Sequence, residues 1–162
     1  MPYNHTELVG GQLFTDNATT QQHQLGIIVD GFDPTFGAGE FIYLKGVAST
    51  VVGSIVNYDA AYQTALHSSS LSLPRPVAVA MAATVANQFG WYQISGQAVV
   101  VKANTLSLNV GEAIAVTSGA AVVVASGLIL NGATVAAVAS AVTASTSVRV
   151  MINRPHDTSD VS

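Results

Sequence analysis

Cysteine is absent from these 162 residues, and charge is scarce. The first absence excludes disulfides, thiolate nucleophiles and cysteine metal sites, and it leaves the compartment open. The second says more about partners. Only 9% of residues are charged, against roughly 25% in ordinary soluble domains. Charge keeps protein surfaces apart. A surface made of Ser, Thr, Asn, Gln, Gly and Ala is therefore expected to rest on copies of itself or on another protein. The basic residues are Lys45, Arg75, Lys102, Arg149 and Arg154, scattered along a chain of net charge −4. No basic stripe is available to neutralise phosphates, which argues against a nucleic-acid partner. The N-terminus, MPYNHTELVGG, has neither the basic nor the apolar region of a secretory signal.

Between Glu112 and Arg149 no residue is charged. A run of that length is long enough for a transmembrane helix. It is broken, however, at Thr117-Ser118-Gly119, Ser126-Gly127, Asn131-Gly132 and Ser145-Thr146-Ser147. The β-branched pieces between the breaks are strand-sized, and Asn-Gly is a hairpin signal. The expectation is buried or inter-subunit strands and no membrane partner.

What is present reads as β throughout. The stretch 88–101, QFGWYQISGQAVVV, holds the single tryptophan and alternates Trp91, Gln93 and Ser95 against Tyr92 and Ile94. A turn or kink is expected at Gly96, followed by a more buried strand over 98–101. Segments 25–33, 40–49, 51–59, 76–85, 106–119, 120–132 and 147–155 also carry strand patterns, and Gly, Pro or Asn separates them. In 40–49, Phe41, Tyr43 and Lys45 oppose Ile42, Leu44 and Gly46. In 147–155, Val148, Val150 and Ile152 oppose Arg149, Met151 and Asn153. Segment 133–146, made of Ala, Val, Thr and Ser, is expected to be extended. Strands at this spacing predict an all-β fold, a small β-barrel or β-sandwich. Residues 1–24 lack periodicity and are read as an extended N-terminal arm. Its apolar residues Leu8, Val9, Leu13 and Phe14 would dock on a neighbouring subunit. Residues 25–155 form the β domain and 156–162 a frayed polar tail. An internal echo sets FIYLKGVA (41–48) beside WYQISGQA (91–98). Each is followed by a strand-opening Val-Gly pair, Val52-Gly53 and Val110-Gly111.

Catalytic signatures are missing. There is no G-x-S-x-G elbow, no phosphate loop and no dinucleotide fingerprint. His5, His23, His67 and His156 show no ligand spacing. Asp30, Asp33 and Glu40 form the densest acidic group. Asp-Gly and Asp-Pro are ordinary turn chemistry, so these residues are read as turn formers rather than as a calcium site or a carboxylate pair. No cofactor or metal is expected. Trp91, Tyr92, Tyr43 and Phe41 would be core or interface anchors, or else a sugar-stacking platform.

Four segments together, GAGEFIYLKGVASTVVGSIVNYD, RPVAVAMA, QFGWYQISGQAVVVKA and the closing INRP, resemble the small capsid decoration (cement) proteins of tailed bacteriophages and related virion proteins. The resemblance spans about residues 25–155. It implies a β-rich non-enzyme bound outside the capsid shell, often as a trimer, at junctions of the major capsid protein. There it would strengthen the shell against packaged DNA. The arm would be the tether, with Leu8, Val9, Leu13, Phe14, Trp91 and Tyr92 at interfaces. The alternative is a receptor- or glycan-binding virion module, a head fibre or tail component.

Overall fold

The structure is a computed structural model. It describes residues 4–5, 12–46, 50–67, 75–103, 107–123, 129–137 and 146–157. The fold is all-β, and no helix occurs among the described residues. In chain order the strands are β1 (Asn4–His5), β2 (Asn17–Ala18), β3 (Ile28–Asp33), β4 (Gly37–Lys45), β5 (Ile55–Tyr58), β6 (Thr64–Leu66), β7 (Val77–Ala80), β8 (Phe89–Val101), β9 (Ala113–Thr117), β10 (Ala120–Val123), β11 (Ile129–Val135) and β12 (Ser147–Asp157). They pair antiparallel in one curled sheet with a main path β1-β3-β4-β8-β12-β11-β9-β10.

β8 is the axis of the molecule. Its first half pairs β4 on one edge, from Lys45 opposite Phe89 to Glu40 opposite Ser95. On the other edge it meets β2 at Phe89 and Gly90, then β7 at Tyr92 and Gln93, then β12 from Ser95 to Val101. The two halves are one continuous strand. Of the turn or kink expected at Gly96 the structure has the kink: the residue lies beside a bulge, where Gln93 and Ser95 of β8 oppose consecutive residues of β4. A bulge adds one residue and bends the strand, and this bend hands β8 from β4 and β7 to β12. Gly96 has φ +99°, and a Cβ there would sit 2.5 Å from the Ala38 carbonyl oxygen. Gly96→Ala would meet both the left-handed backbone cost, about 1–2 kcal/mol, and that collision. Chemical denaturation is expected to show a loss above this range, and an unchanged midpoint would refute the bend's role.

The two sides of β8 repeat one pattern. On one side the strand order is β6-β5-β7-β8, on the other β10-β9-β11-β12. Each three-stranded piece opens on a β-turn. The N–H of Ser54 donates to the Val51 carbonyl, and that of Glu112 to the Asn109 carbonyl. The third residue of each turn is a glycine, Gly53 at φ +84° and Gly111 at φ +86°, as a type II turn requires. Gly53 N–H then donates to Ala80, and Ala80 N–H returns to Ser54. Gly111 and Glu112 exchange the same two bonds with Val135. Each piece curls until it touches the preceding long strand through one parallel bridge, Lys45 to Gln63 and Lys102 to Ala121. The result is two nearly closed five-stranded half-barrels sharing β8. The Val-Gly pairs thus occupy equivalent places. The glycine echo does not, because the bridges set Lys45, not Phe41, against the end of β8.

Alternation places the core. Tyr92 and Ile94 join Ile42, Leu44, Val56, Ala78 and Ala80 inside the first half-barrel. Ala98 and Val100 join Ile114, Val116, Val148, Val150 and Ile152 in the second. β7 is buried on both faces. Its alanines face the first core and its valines the second, which explains a continuous apolar run rather than an alternating one. Trp91, on the opposite face of β8 from Tyr92, joins Phe14, Val29, Phe41, Tyr43 and Met81 in a third, aromatic cluster.

Three expectations are revised by this arrangement. Asn131-Gly132 is not a hairpin turn but lies inside β11, where the pairing with β12 slips register and the extra residues are on β12. Residues 156 and 157 are not a frayed tail, since β12 continues to a buried Asp157. Only 133–135 of the segment 133–146 belong to β11, and residues 138–145 lie outside the described residues. Among the described residues no helix is long and apolar enough to cross a membrane.

Candidate functional surfaces

The chain from Gln12 to His23 is sewn onto β4 and β8. The Tyr43 hydroxyl donates to Gln12 Oε1 at 2.8 Å and accepts the Gln22 N–H at 3.2 Å. Gln12 Nε2 donates to the carbonyls of Asp16 and Phe89. Asn17 Nδ2 donates to the Ala83 carbonyl. Phe14 stacks on Phe41 with ring centroids 4.0 Å apart and meets Trp91 edge-on at 5.5 Å. Phe14 is therefore a core residue of its own chain, not an anchor for a neighbour. This corrects the reading of 1–24 as one detached arm. Leu13 beside it points outward, 59% exposed. Leu8 and Val9 lie outside the described residues. Trp91, Tyr92, Tyr43 and Phe41 are each 1% exposed or less, so no sugar can stack on them.

Burial of these rings has an electrostatic consequence. Desolvation raises the pKa of Tyr43, Tyr58 and Tyr92 above the ordinary 10, against hydrogen bonds that favour ionisation in Tyr43 and Tyr92. The phenolate is the form that burial disfavours. The folded protein therefore binds these protons more tightly than the unfolded chain. The stability this contributes is complete below pH 10 and is lost as pH rises past it towards the folded values. A spectrophotometric titration of the phenolates should show ionisation delayed and coincident with loss of structure. Reversible ionisation of every tyrosine near pH 10 in folded protein would contradict it.

The three acids do not all converge: Asp30 and Glu40 line one open hollow of about 570 Å³, and Asp33 is not among its lining residues. Asp33 is buried, and its Oδ1 accepts the N–H groups of Thr35 and Phe36 at 2.7 and 2.9 Å, capping the β3–β4 turn. Glu40 pairs with Arg154 across strands at 2.9 and 3.3 Å. Asp30 lies directly across from Glu40 in the ladder. Among the described residues no three His, Asp or Glu side chains gather as a metal site would need.

Sequence reading passed over a buried polar cluster. His67 follows β6 and its Nε2 lies 2.5 Å from Asp157 Oδ1, while Asn57 Nδ2 of β5 donates to Asp157 Oδ2 at 2.8 Å. All three are 2% exposed or less. The residues are 57, 67 and 157 in sequence, so no local spacing announces them.

Among the surface hollows, two adjoin the N-terminal segment and the end of β12. One, of about 450 Å³, lies between the N-terminal segment, the end of β7 and the Val52 turn, and is lined by Thr15, Asn17, Val52, Ala83 and Val99 among others. No charged residue lines it, and Val52 at its rim is 62% exposed. The other lies at the mouth of the first half-barrel, where Tyr58, Arg75 and Pro76 meet the end of β12.

No family model, curated protein or solved structure matches this chain.

Proposed function

We propose that this chain is a virion structural protein, a capsid decoration protein that binds the outside of a phage head as a trimer and stabilises the shell through contacts with the major capsid protein. The observation that carries this reading is the uncharged hollow at Val52. A protein that covers its surface with so little charge has weak defence against association. Here an apolar recess coincides with an exposed valine and is framed by rigid, hydrogen-bonded strands. Such a recess suits an apolar side chain of a protein partner, which hot-spot contacts favour. Bound in many copies across subunit seams, modest contacts of this kind multiply through avidity. No reacting constellation is required for this role, only a stiff scaffold, and the two half-barrels joined by β8 provide one.

The test uses heads of the encoding phage stripped of this protein. Wild-type protein should rebind them and raise the temperature at which DNA is released. A paired substitution, Val52→Asp with Ala83→Asp, places two charges in the hollow. Burying an unpaired charge costs several kcal/mol, so rebinding should weaken by about a hundredfold or more. Heads equally stable with and without the protein would end the proposal. Heads bound equally by the variant would move the contact elsewhere. Sedimentation of the isolated protein at a single chain mass would remove the trimer.

A further inference from the structure

We propose that the groove where the 58–62 turn meets the end of β12 binds an acidic saccharide, a sugar ring whose carboxylate is held by Arg75. This goes beyond shell stabilisation and does not depend on it. The chain has only three arginines, and two of them, Arg75 and Arg154, line this groove together with His156. Two hollows of about 350 and 510 Å³ meet here and share Tyr58, Arg75 and Pro76. Both volumes lie within the range of small-molecule sites.

The charges around the groove are distributed so that one is left over. Glu40 engages Arg154 with both carboxylate oxygens. Asp59, the acid of the second hollow, accepts the N–H groups of Ala61 and Gln63. Among the described residues no acceptor is bonded to the Arg75 guanidinium. A planar guanidinium is the side chain best suited to hold a carboxylate by two parallel bonds.

The aromatic wall is prearranged. Tyr62 has φ +59°, a conformation uncommon for a bulky residue. It is fixed there because its N–H donates to Asp59 and its carbonyl accepts the Lys45 N–H. Its ring lies against Gly26, where any Cβ would come within 2.3 Å of it, yet Tyr62 stays 37% exposed. Arg154, across the groove, also has positive φ, +44°. Backbone strain of this kind gathers at ligand sites because the surroundings enforce it. Exposed Ile28 extends the apolar floor. A sugar ring offers an apolar face for Tyr62 and Ile28, hydroxyls for the phenol groups and one carboxylate for Arg75. An acidic peptide would instead call for a row of cations, and the scattered basic residues do not supply one.

The experiment is ligand-observed NMR on the full chain. The probes are glucuronate and a short galacturonate oligomer, with glucose, succinate and a tetra-glutamate peptide as comparisons. The acidic sugars should bind saturably and more tightly than all three comparisons. Arg75→Gln should weaken the acidic sugars at least tenfold, and Tyr62→Asn, whose side chain tolerates the left-handed backbone, should do likewise. Arg149→Gln, whose guanidinium stacks over Phe36 elsewhere, should change nothing. Glu40→Gln releases Arg154 and should tighten binding several-fold. Equal binding of glucose, or tighter binding of succinate or the peptide, overturns the assignment. So does no saturable binding of the acidic sugars, or binding indifferent to both Arg75→Gln and Glu40→Gln.

Discussion

Phe14→Ala is expected to destabilise the protein by about 3–5 kcal/mol, the range for removing a buried aromatic side chain from a packed core. The ring is 1% exposed and stacks on Phe41 while meeting Trp91 edge-on. The cavity would open beneath His23, Tyr43 and Trp91, three rings whose contacts with one another are 5.0 to 5.2 Å apart. They cannot all close onto the gap without leaving the positions set by β4 and β8. The neighbouring Leu13→Ala should change stability little, because that side chain is already in water. Urea unfolding at several protein concentrations separates this picture from its rival. If Phe14 were an anchor for a neighbouring subunit, Phe14→Ala would shift the midpoint only in a concentration-dependent way, and dilute wild-type protein would lose the same stability. A concentration-independent loss with an unchanged slope is the outcome expected of a core residue.

That contrast marks the limit of what the sequence reveals. Strand faces were legible wherever one side meets water. Val148, Val150 and Ile152 against Arg149, Met151 and Asn153 describe β12 as the structure has it. Trp91 and Tyr92 separate into two cores as their alternation requires. The N-terminal segment carries no such period. Phe14 is a single aromatic among Thr, Gln and Asn, and only its long-range partners, Phe41 and Trp91, make it core. Gly96 reads as a turn or a kink, and Asn131-Gly132 as a hairpin turn, because a glycine with free backbone suits a turn and a break in strand register equally. Pairing partners on both sides decide between them, and those lie far away in sequence. The site residues illustrate the same point. Arg75 and Tyr62 are unremarkable in a loop and a turn, and become a groove only when β12 brings Arg154 beside them.

The repeated half-barrel also accounts for the sparse charge. A five-stranded curl has a narrow interior, and the second is filled by Ala and Val more than by larger side chains. Sharing β8 turns the outer face of β7 into an inner face of the second unit, so residues that a lone half-barrel would expose become core. β7 has no polar side chain for that reason. The remaining exterior is made largely of turns and edge positions, and exposed Val52 and Val110 sit at the matching corners of the two units, 62% and 60% exposed. The Val52 corner also has an adjoining recess lined by Thr15 and Asn17.

Asp157→Ala should cost about 3–5 kcal/mol, because it removes one member of a buried, hydrogen-bonded polar set and leaves the others unpaired. Asp157 receives His67 on one oxygen and Asn57 on the other, and its backbone N–H donates to the Arg75 carbonyl. It thereby ties the last strand to β5, to the end of β6 and to the segment entering β7. His67 Nδ1 and Asn57 Oδ1 already have no partner among the described residues, so losing Asp157 would take the side-chain bonds of His67 Nε2 and Asn57 Nδ2 as well. His67→Ala should cost a similar amount. The cost of His67→Leu combined with Asp157→Leu should fall well short of the sum, since replacing both members by apolar groups removes the unpaired charge along with the pair. Denaturant midpoints of His67→Leu, of Asp157→Leu and of the two combined supply the cycle. A coupling of about 0.5–3 kcal/mol is expected for groups in direct contact. A change within about 0.5 kcal/mol for Asp157→Ala would be the behaviour of a frayed surface tail, and would mean that β12 ends before this residue. The same cluster bears on the groove, because Asp157 is bonded to the backbone of Arg75 and follows Arg154 by one short step of strand. Loosening Asp157 should therefore weaken acidic-sugar binding even though its side chain never reaches the ligand, and the double apolar variant, which removes the pair altogether, should recover stability more than binding.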